Sequence, residues 1–378
     1  MFFQPLFWTY LFFLFLIFIF LTNRISFHPP RGWGEVFWTF SWCSSFLLVQ
    51  TGLSVIYLKN WDFAWSGLSF LPFSSLIFLS SIALWIAWMV VDHGVWKLIR
   101  LQPVRVKKIK TVKLRTNPKF VPPFGCLKKV GITNQIYLPQ VVEYELKLEG
   151  WPKEWSGLTI VQVSDLHYGK FFPTAYYDGI IRQIKQLKPD LFAFTGDLIN
   201  SKKDALAMKG LLKGFKAPLG VYAVLGNHDH GAGAEALTKA LTQESIRVLD
   251  NEVVYRKRKG KTLAIMGASE LWYGNRDRSI ILNSKADAKL FLAHHPDHYF
   301  LGKKSGAHLQ ISGHTHGGQI RFPFLGPLIV PSNQGRKYAQ GFYREKNTVL
   351  FVTNGIGCYP PLRTLCAPEI VKLVLKPA

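Results

Sequence analysis

Cysteine is scarce in this sequence: Cys43, Cys126, Cys358 and Cys366 are the four, and no two form a CxxC pair. That excludes a disulfide framework and a zinc ribbon and leaves four thiols to pack as small apolar groups. Acid is scarce as well. Asp and Glu total 23 against 46 Lys and Arg, for a formal net charge of +23. Charge of either sign is nearly missing from residues 1–91, which hold only Arg24, Arg31, Lys59, Glu35 and Asp62. Hydrophobic residues make up 48% of the chain and aromatics 15%, which excludes disorder, since disorder needs low hydrophobicity. No internal repeat is evident.

What is present divides into a part suited to lipid and a part suited to water. A bilayer core of about 30 Å takes about 20 mostly apolar helical residues. Residues 1–23 and 36–58 carry no charge, and neither do 63–91. They predict three transmembrane helices, near 4–21, 36–58 and 68–91, within a membrane anchor of residues 1–91. The first run has no basic residue ahead of it and no small-residue cleavage site after it, so it reads as an anchor rather than a signal peptide. Trp8, Trp33, Trp38, Trp61, Trp88 and Trp96 lie toward the ends of these spans, as interfacial aromatic belts do. Basic excess marks the cytoplasmic side. Residues 92–115 hold eight Lys and Arg against the single acid Asp92, which predicts a multi-pass protein of the inner (cell) membrane with its C-terminal region in the cytoplasm.

Residues 92–141 form a basic connector, with no acid from 93 to 142. Two readings fit it: attraction to anionic headgroups, at roughly 1 kcal/mol per basic residue near the surface, or a topology signal followed by solvated strands. Val104, Val106, Val112 and Leu114 alternate with basic residues in a partly strand-like pattern. Nucleic acid is not expected as a partner, because no aromatics interleave the charges for base stacking.

Residues 142–378 read as the water-soluble domain. Alternation over 142–149 marks a half-buried strand. Short apolar runs follow at 159–163, 190–194, 221–225, 290–293 and 308–312, each ending in a polar cluster. Tyr177, Ile180, Ile181, Ile184 and Leu187 recur at helical spacing, with Pro173 suited to a first turn. Residues 253–258 and 262–266 flank Gly260 as a hairpin, and 348–353 and 370–375 read as strands. Strand alternating with helix implies a layered α/β core, here a four-layer αββα sandwich.

Five of these runs end in residue types that ligate metals: Asp165 and His167, Asp197, Asn227-His228-Asp229, His294-His295 with Asp297, then His314 and His316. Ligands bind at the carboxyl ends of strands in α/β folds, so wide sequence spacing is no obstacle. Carboxylates and imidazoles gathered in a core would be very costly without a cation. Imidazole, carboxylate and amide oxygen with no thiolate suit Mn, Fe or Zn. Cys therefore plays no part, and His230, His298 and His308 read as solvated or structural. Arg321, Arg336 and Arg363 are candidates to clamp an anion such as phosphate or carboxylate, with surface charge as the other reading.

Asp165-x-His167, Gly196-Asp197, Gly226-Asn227-His228-Asp229, His294 and Gly313-His314-Thr315-His316 together resemble the five motifs of calcineurin-like metallophosphoesterases. The resemblance runs from about 158 to 376. Residues 292–297 (LAHHPD) and 313–319 (GHTHGGQ) are most similar to membrane-associated phosphodiesterases of the YkuE and YaeI type, a group that includes a UDP-2,3-diacylglucosamine pyrophosphatase. The resemblance implies two divalent metal ions: Asp165, His167 and His316 on one, Asn227, His294 and His314 on the other, with Asp197 bridging. It further implies that His228 protonates the leaving oxygen while Asp229 holds its ring, and that His295 is not a ligand. Asn200 departs from the pattern, since many relatives have an Asp there. The implied activity is phosphodiester or pyrophosphate hydrolysis, with membrane lipid and a nucleotide-linked glycolipid substrate as partners. A broad-specificity envelope phosphodiesterase or protein phosphatase is the alternative.

Overall fold

The computed structural model describes residues 104–378 apart from Lys170, Asn275 and Leu328. The three expected membrane spans, and Cys43, lie outside the described residues. Among the described residues no helix is long and apolar enough to cross a membrane.

Two sheets form the centre. The first runs in the order β1 (Arg105–Lys113), β2 (Gln140–Leu148), β15 (Glu369–Pro377), β3 (Leu158–Val163), β4 (Leu191–Thr195), β5 (Val221–Val224) and β6 (Arg247–Val248). The second runs β13 (Gly341–Glu345), β14 (Thr348–Val352), β10 (Leu309–Ser312), β9 (Ala288–Leu292), β8 (Lys261–Gly267) and β7 (Glu252–Arg258). Strands β3 to β6 are mutually parallel, as are β8, β9, β10 and β14. The hairpin expected around Gly260 is β7–β8. A small ribbon, β11 (Arg321–Phe322) with β12 (Gly326–Pro327), stands apart from both sheets.

Period-two alternation sorts the strand residues into layers. Ile160, Leu191, Ala193, Tyr222 and Val224 of the first sheet share one core with Leu263, Ile265, Leu290, Leu292, Leu309 and Ile311 of the second. Their neighbours Val161, Phe192, Phe194 and Ala223 point the other way, onto helices α1 (Thr174–Lys185), α2 (Lys202–Leu211) and α3 (Asn227–Gln243). Behind the second sheet, Ala264, Met266, Phe291 and Ala293 pack against Ile281 of α4 (Ser279–Leu282) and Leu301 of α5 (Tyr299–Lys304). The order is helix, sheet, sheet, helix. Helix α1 buries Tyr176, Tyr177, Ile180, Ile181 and Ile184, each worth roughly 1.5–3 kcal/mol of apolar burial if aliphatic. Pro173 stands at its N-cap, one place before the helix.

The expected connector takes part in this architecture. It contributes β1, paired antiparallel with β2 from Arg105 opposite Lys147 to Lys113 opposite Gln140, and position 142 falls inside β2. Val104 and Val106 tuck against the inter-sheet core, while the lysines stay exposed along the edge. Charged edge strands resist pairing with other chains. The thiols also divide: Cys358 and Cys366 are buried, but Cys126 is exposed rather than packed.

Candidate metal centre

Strands β3, β4 and β5 in one sheet and β9 and β10 in the other deliver the seven expected ligands to one place. Turns beyond the strand ends aim the side chains inward at the cost of unusual backbone. Asp165, His167, Asp197, His314 and His316 all have φ between 47° and 71°, a region sparsely occupied by non-glycine residues and concentrated at functional sites. Gly196 shows how tight the assembly is: a Cβ there would lie 2.5 Å from His294 Nδ1 and 2.8 Å from the Gly226 nitrogen. At Gly313 a Cβ would collide with Ser164 Oγ and the Asp165 carboxylate.

Asp165, His167 and His316 form one group able to hold an ion, and Asp197, His294 and His314 form another. Asp197 lies between them. Its Oδ2 is 3.6 Å from His167 Nε2 and 3.2 Å from His294 Nε2. Asn227 Oδ1 is 3.2 Å from the same His294 nitrogen, and His314 Nδ1 is 3.1 Å from it. His167 Nε2 and His316 Nε2 approach to 3.0 Å. The fit to cations is carried by an orphan. Asp165 Oδ2 is fully buried and has no hydrogen-bond partner, a state too costly for a carboxylate oxygen unless something positive meets it.

Supporting bonds fix the rings. His294 Nδ1 donates to the Thr195 carbonyl at 2.7 Å, leaving Nε2 to face Asp197. His167 Nδ1 lies 2.9 Å from Asn200 Oδ1, and Asn200 Nδ2 donates to the His167 carbonyl at 2.8 Å. The amide thus gives the second-tier orientation that ligand histidines normally need. Arg363, a phosphate-clamp candidate from sequence, is fully buried. Its guanidinium donates to the carbonyls of Asn354 (2.7 Å) and Gly357 (3.0 Å) and sits 3.2 Å from His316 Nδ1. It positions the His316 turn and cannot reach a substrate. Arg321 donates to the Gly317 carbonyl and Arg336 to that of Leu325.

Electrostatics follow from burial. Burial lowers His316 and His314 well below the ordinary imidazole value, helped by neighbouring histidines and, for His316, by the Arg363 charge; neutral imidazole is the ligating form. Burial also pushes His167 down to about 4 and Asp165 up to about 6. His294 goes the other way. Burial opposes its charge, yet the Asp197 carboxylate and its hydrogen bond win and raise it to about 10.

His228 is half-buried at the edge of the cluster. Its backbone N–H donates to Asp197 Oδ1 at 2.9 Å, and its ring meets that of His167 edge-on at 4.7 Å. The expectation that Asp229 holds the His228 ring is corrected. Asp229 Oδ1 accepts the N–H groups of Leu198 (2.8 Å) and Ile199 (3.0 Å), and Oδ2 accepts that of Gly226 (2.9 Å). Consecutive helical residues do not face each other, so in the first turn of α3 the carboxylate points into the core, where it caps the helix.

Sequence reasoning missed one group. Glu270 is buried with Oε1 3.2 Å from His295 Nε2, while Oε2 accepts the Trp272 and Tyr273 N–H groups. The His295 ring lies 3.5 Å from that of His314, backing it from behind. Nothing in the motif spacing marks Glu270; the signal available was an acid three residues beyond the end of β8. His298 is buried and His308 accepts the Lys289 N–H at 3.1 Å, while His230 stacks near Tyr273. None of the three joins the cluster.

Similarity to known proteins points the same way. The calcineurin-like phosphoesterase model matches residues 158–318. The uncharacterized metallophosphoesterase YkuE of Bacillus subtilis (strain 168) is 34% identical over 253 residues, 64% of this chain and 86% of the relative. The phosphodiesterase YaeI of Escherichia coli (strain K12) is 28% identical over 221 residues, 57% of this chain and 81% of the relative. A transmembrane protein with metallophosphoesterase domain from Danio rerio is 29% identical over 266 residues, 66% of this chain and 60% of the relative.

Proposed function

We propose a substrate from the premise that this chain belongs to the calcineurin-like phosphoesterase family and is a metal-dependent phosphoester hydrolase. The reaction is hydrolysis of a phosphodiester or pyrophosphate bond in a nucleotide-linked glycolipid, with UDP-2,3-diacylglucosamine cleaved to lipid X and UMP as the specific case. The chain acts as a multi-pass protein of the inner membrane with its catalytic domain in the cytoplasm.

The observation that carries the reading is the placement of Asp197 between two ligand groups. Asp165, His167 and His316 would hold one cation and Asn227, His294 and His314 the other. Two divalent cations held there would supply Lewis-acid charge to the phosphate and make water more acidic at neutral pH. Two buried carboxylates leave such a centre net positive, which suits a phosphate anion. His228 stands at the rim with its backbone fixed on Asp197 and its ring beside His167 and Asp197, where it would give a proton to the leaving oxygen. Arg363 and Asn200 keep His316 and His167 oriented. Three uncharged runs ahead of the domain support a lipid-borne substrate.

The assay is UMP release from UDP-2,3-diacylglucosamine in mixed micelles. Release that needs a divalent ion is the expected result. Turnover of a soluble phosphodiester without UMP release would remove the substrate and favour a broad-specificity envelope phosphodiesterase, the reading to which the name of YaeI lends weight.

A further inference from the structure

We propose that the mouth of this site docks on an anionic lipid leaflet through an apolar collar. Three segments, 117–131, 320–327 and 359–366, are bound side by side. Asn134 Nδ2 donates to the carbonyls of Pro123 (2.9 Å) and Pro361 (3.0 Å). Gln319 Nε2 donates to the Pro360 carbonyl at 2.7 Å, and its Oε1 accepts the Tyr359 N–H at 3.0 Å. The Arg321 N–H donates to the Thr364 carbonyl at 3.1 Å.

These segments present Val121, Phe124, Phe322, Phe324, Tyr359 and Leu365, all among the exposed large hydrophobic residues. Phe324 is 86% exposed and Val121 77%. Scattered exposed apolar residues need no explanation, but six on segments tied to one another beside the site do. The collar borders the chemistry, for the Tyr359 ring lies 6.1 Å from that of His228. It is also held at a cost. Phe124, Phe324 and Leu365 have φ of 59°, 63° and 49°, a conformation unfavourable for bulky residues. Backbone strain that displays apolar side chains to water stabilises nothing in the isolated domain. It acquires a purpose once those side chains are inserted in something.

Charge identifies what they enter. The three segments contain no acid, and with Arg363 buried their basic residues toward solvent are Lys119, Lys128, Lys129 and the partly buried Arg321. Lys119, Lys128 and Lys129 are exposed beside Val121 and Phe124. Aromatic side chains at headgroup depth with basic residues around them are what an interfacial membrane site requires. A leaflet is at hand if the uncharged runs of residues 1–91 span the bilayer. Docking would turn the metal centre toward headgroups and let a lipid-borne phosphate reach His228 while its acyl chains stay in the membrane. The proposal rests on the membrane setting of the proposed function but not on its substrate.

The test uses the full chain in vesicles of phosphatidylcholine and phosphatidylglycerol carrying a trace of radiolabelled phospholipid. A photoreactive p-benzoylphenylalanine replaces Phe324, Phe124 or, as control, Tyr255, an exposed residue of β7 on the outer edge of the second sheet. After illumination, lipid adducts at 324 and 124 should exceed those at 255 by tenfold or more. Equal yields at the three positions would overturn the proposal. Adducts without UMP release would reject the substrate and leave the docking intact; UMP release without adducts would do the reverse.

Discussion

Asn200 shows how one side chain can serve a metal without touching it. Its amide spans the His167 ring nitrogen and the His167 carbonyl, at 2.9 and 2.8 Å, so the ring cannot rotate away from Asp197. Removing such a partner typically weakens metal binding 10- to 100-fold. Asn200→Ala is expected to do so at the ion shared by Asp165, His167 and His316, read by competition with a chromophoric chelator. At this scale the ligand types were legible, because Asp, His and Asn directly after apolar runs have few other uses. The supporting residues were not. Arg363 has the sequence character of a surface cation, and its burial against carbonyls from 354 to 357 depends on how the 359–366 loop closes. Glu270 meets His295, 25 positions further along the chain, a separation no local pattern encodes.

Among elements, the parallel strands β3, β4, β5, β9 and β10 were readable as mostly apolar runs, since both faces are covered. Edge strand β1 was harder to read, because its lysines follow solvent and its bulge between Lys108 and Lys110 breaks the alternation. The insertion of the C-terminal β15 between β2 and β3 is a tertiary choice with no local signature. The start of α3 illustrates the limit most clearly. His228 and Asp229 are neighbours in a shared motif, yet the helix sends one to the site and the other into the core. Burial and the Asp197 charge raise Asp229 to about 7, against three backbone N–H bonds that favour its ionised form. Asp229→Ala would strip those donors of their acceptor, at about 1–3 kcal/mol each where buried, and so should lower the thermal midpoint markedly. His228→Ala should leave the midpoint and metal content unchanged and lower kcat by 10²- to 10⁴-fold, the usual share of a general acid. Equal loss of stability in both variants would contradict the division of roles.

At the largest scale, the described fold of residues 104–378 is a pair of sheets closed by helices, with a site at the edge where both sets of strand ends meet. Its histidines are mostly interior, which sets the acid response. His298, outside the metal cluster, is pushed down to about 3 by burial and then by the Arg278 charge. A folded pKa below the unfolded value of about 6.5 means the unfolded chain takes up the proton first. The stabilisation is therefore complete above about pH 6.5 and is lost as pH falls toward 3. In the presence of chelator, unfolding free energy should decline over that window, with His298 contributing up to about 1.4 kcal/mol per pH unit. His298→Leu should flatten the decline by that amount in denaturant titrations at stepped pH; an unchanged slope would show that the histidine is not held neutral.

The central claim is that seven side chains from five strand ends hold two cations around Asp197. The most direct test is elemental analysis of the purified full chain beside its hydrolysis of a phosphodiester, repeated for Asp197→Ala. Two divalent ions per chain, hydrolysis that disappears on chelation and returns with Mn²⁺ or Zn²⁺, and loss of both in the variant are the predicted results. A chain that hydrolyses the ester with no ion bound, or an Asp197→Ala variant that keeps both ions, would contradict the account.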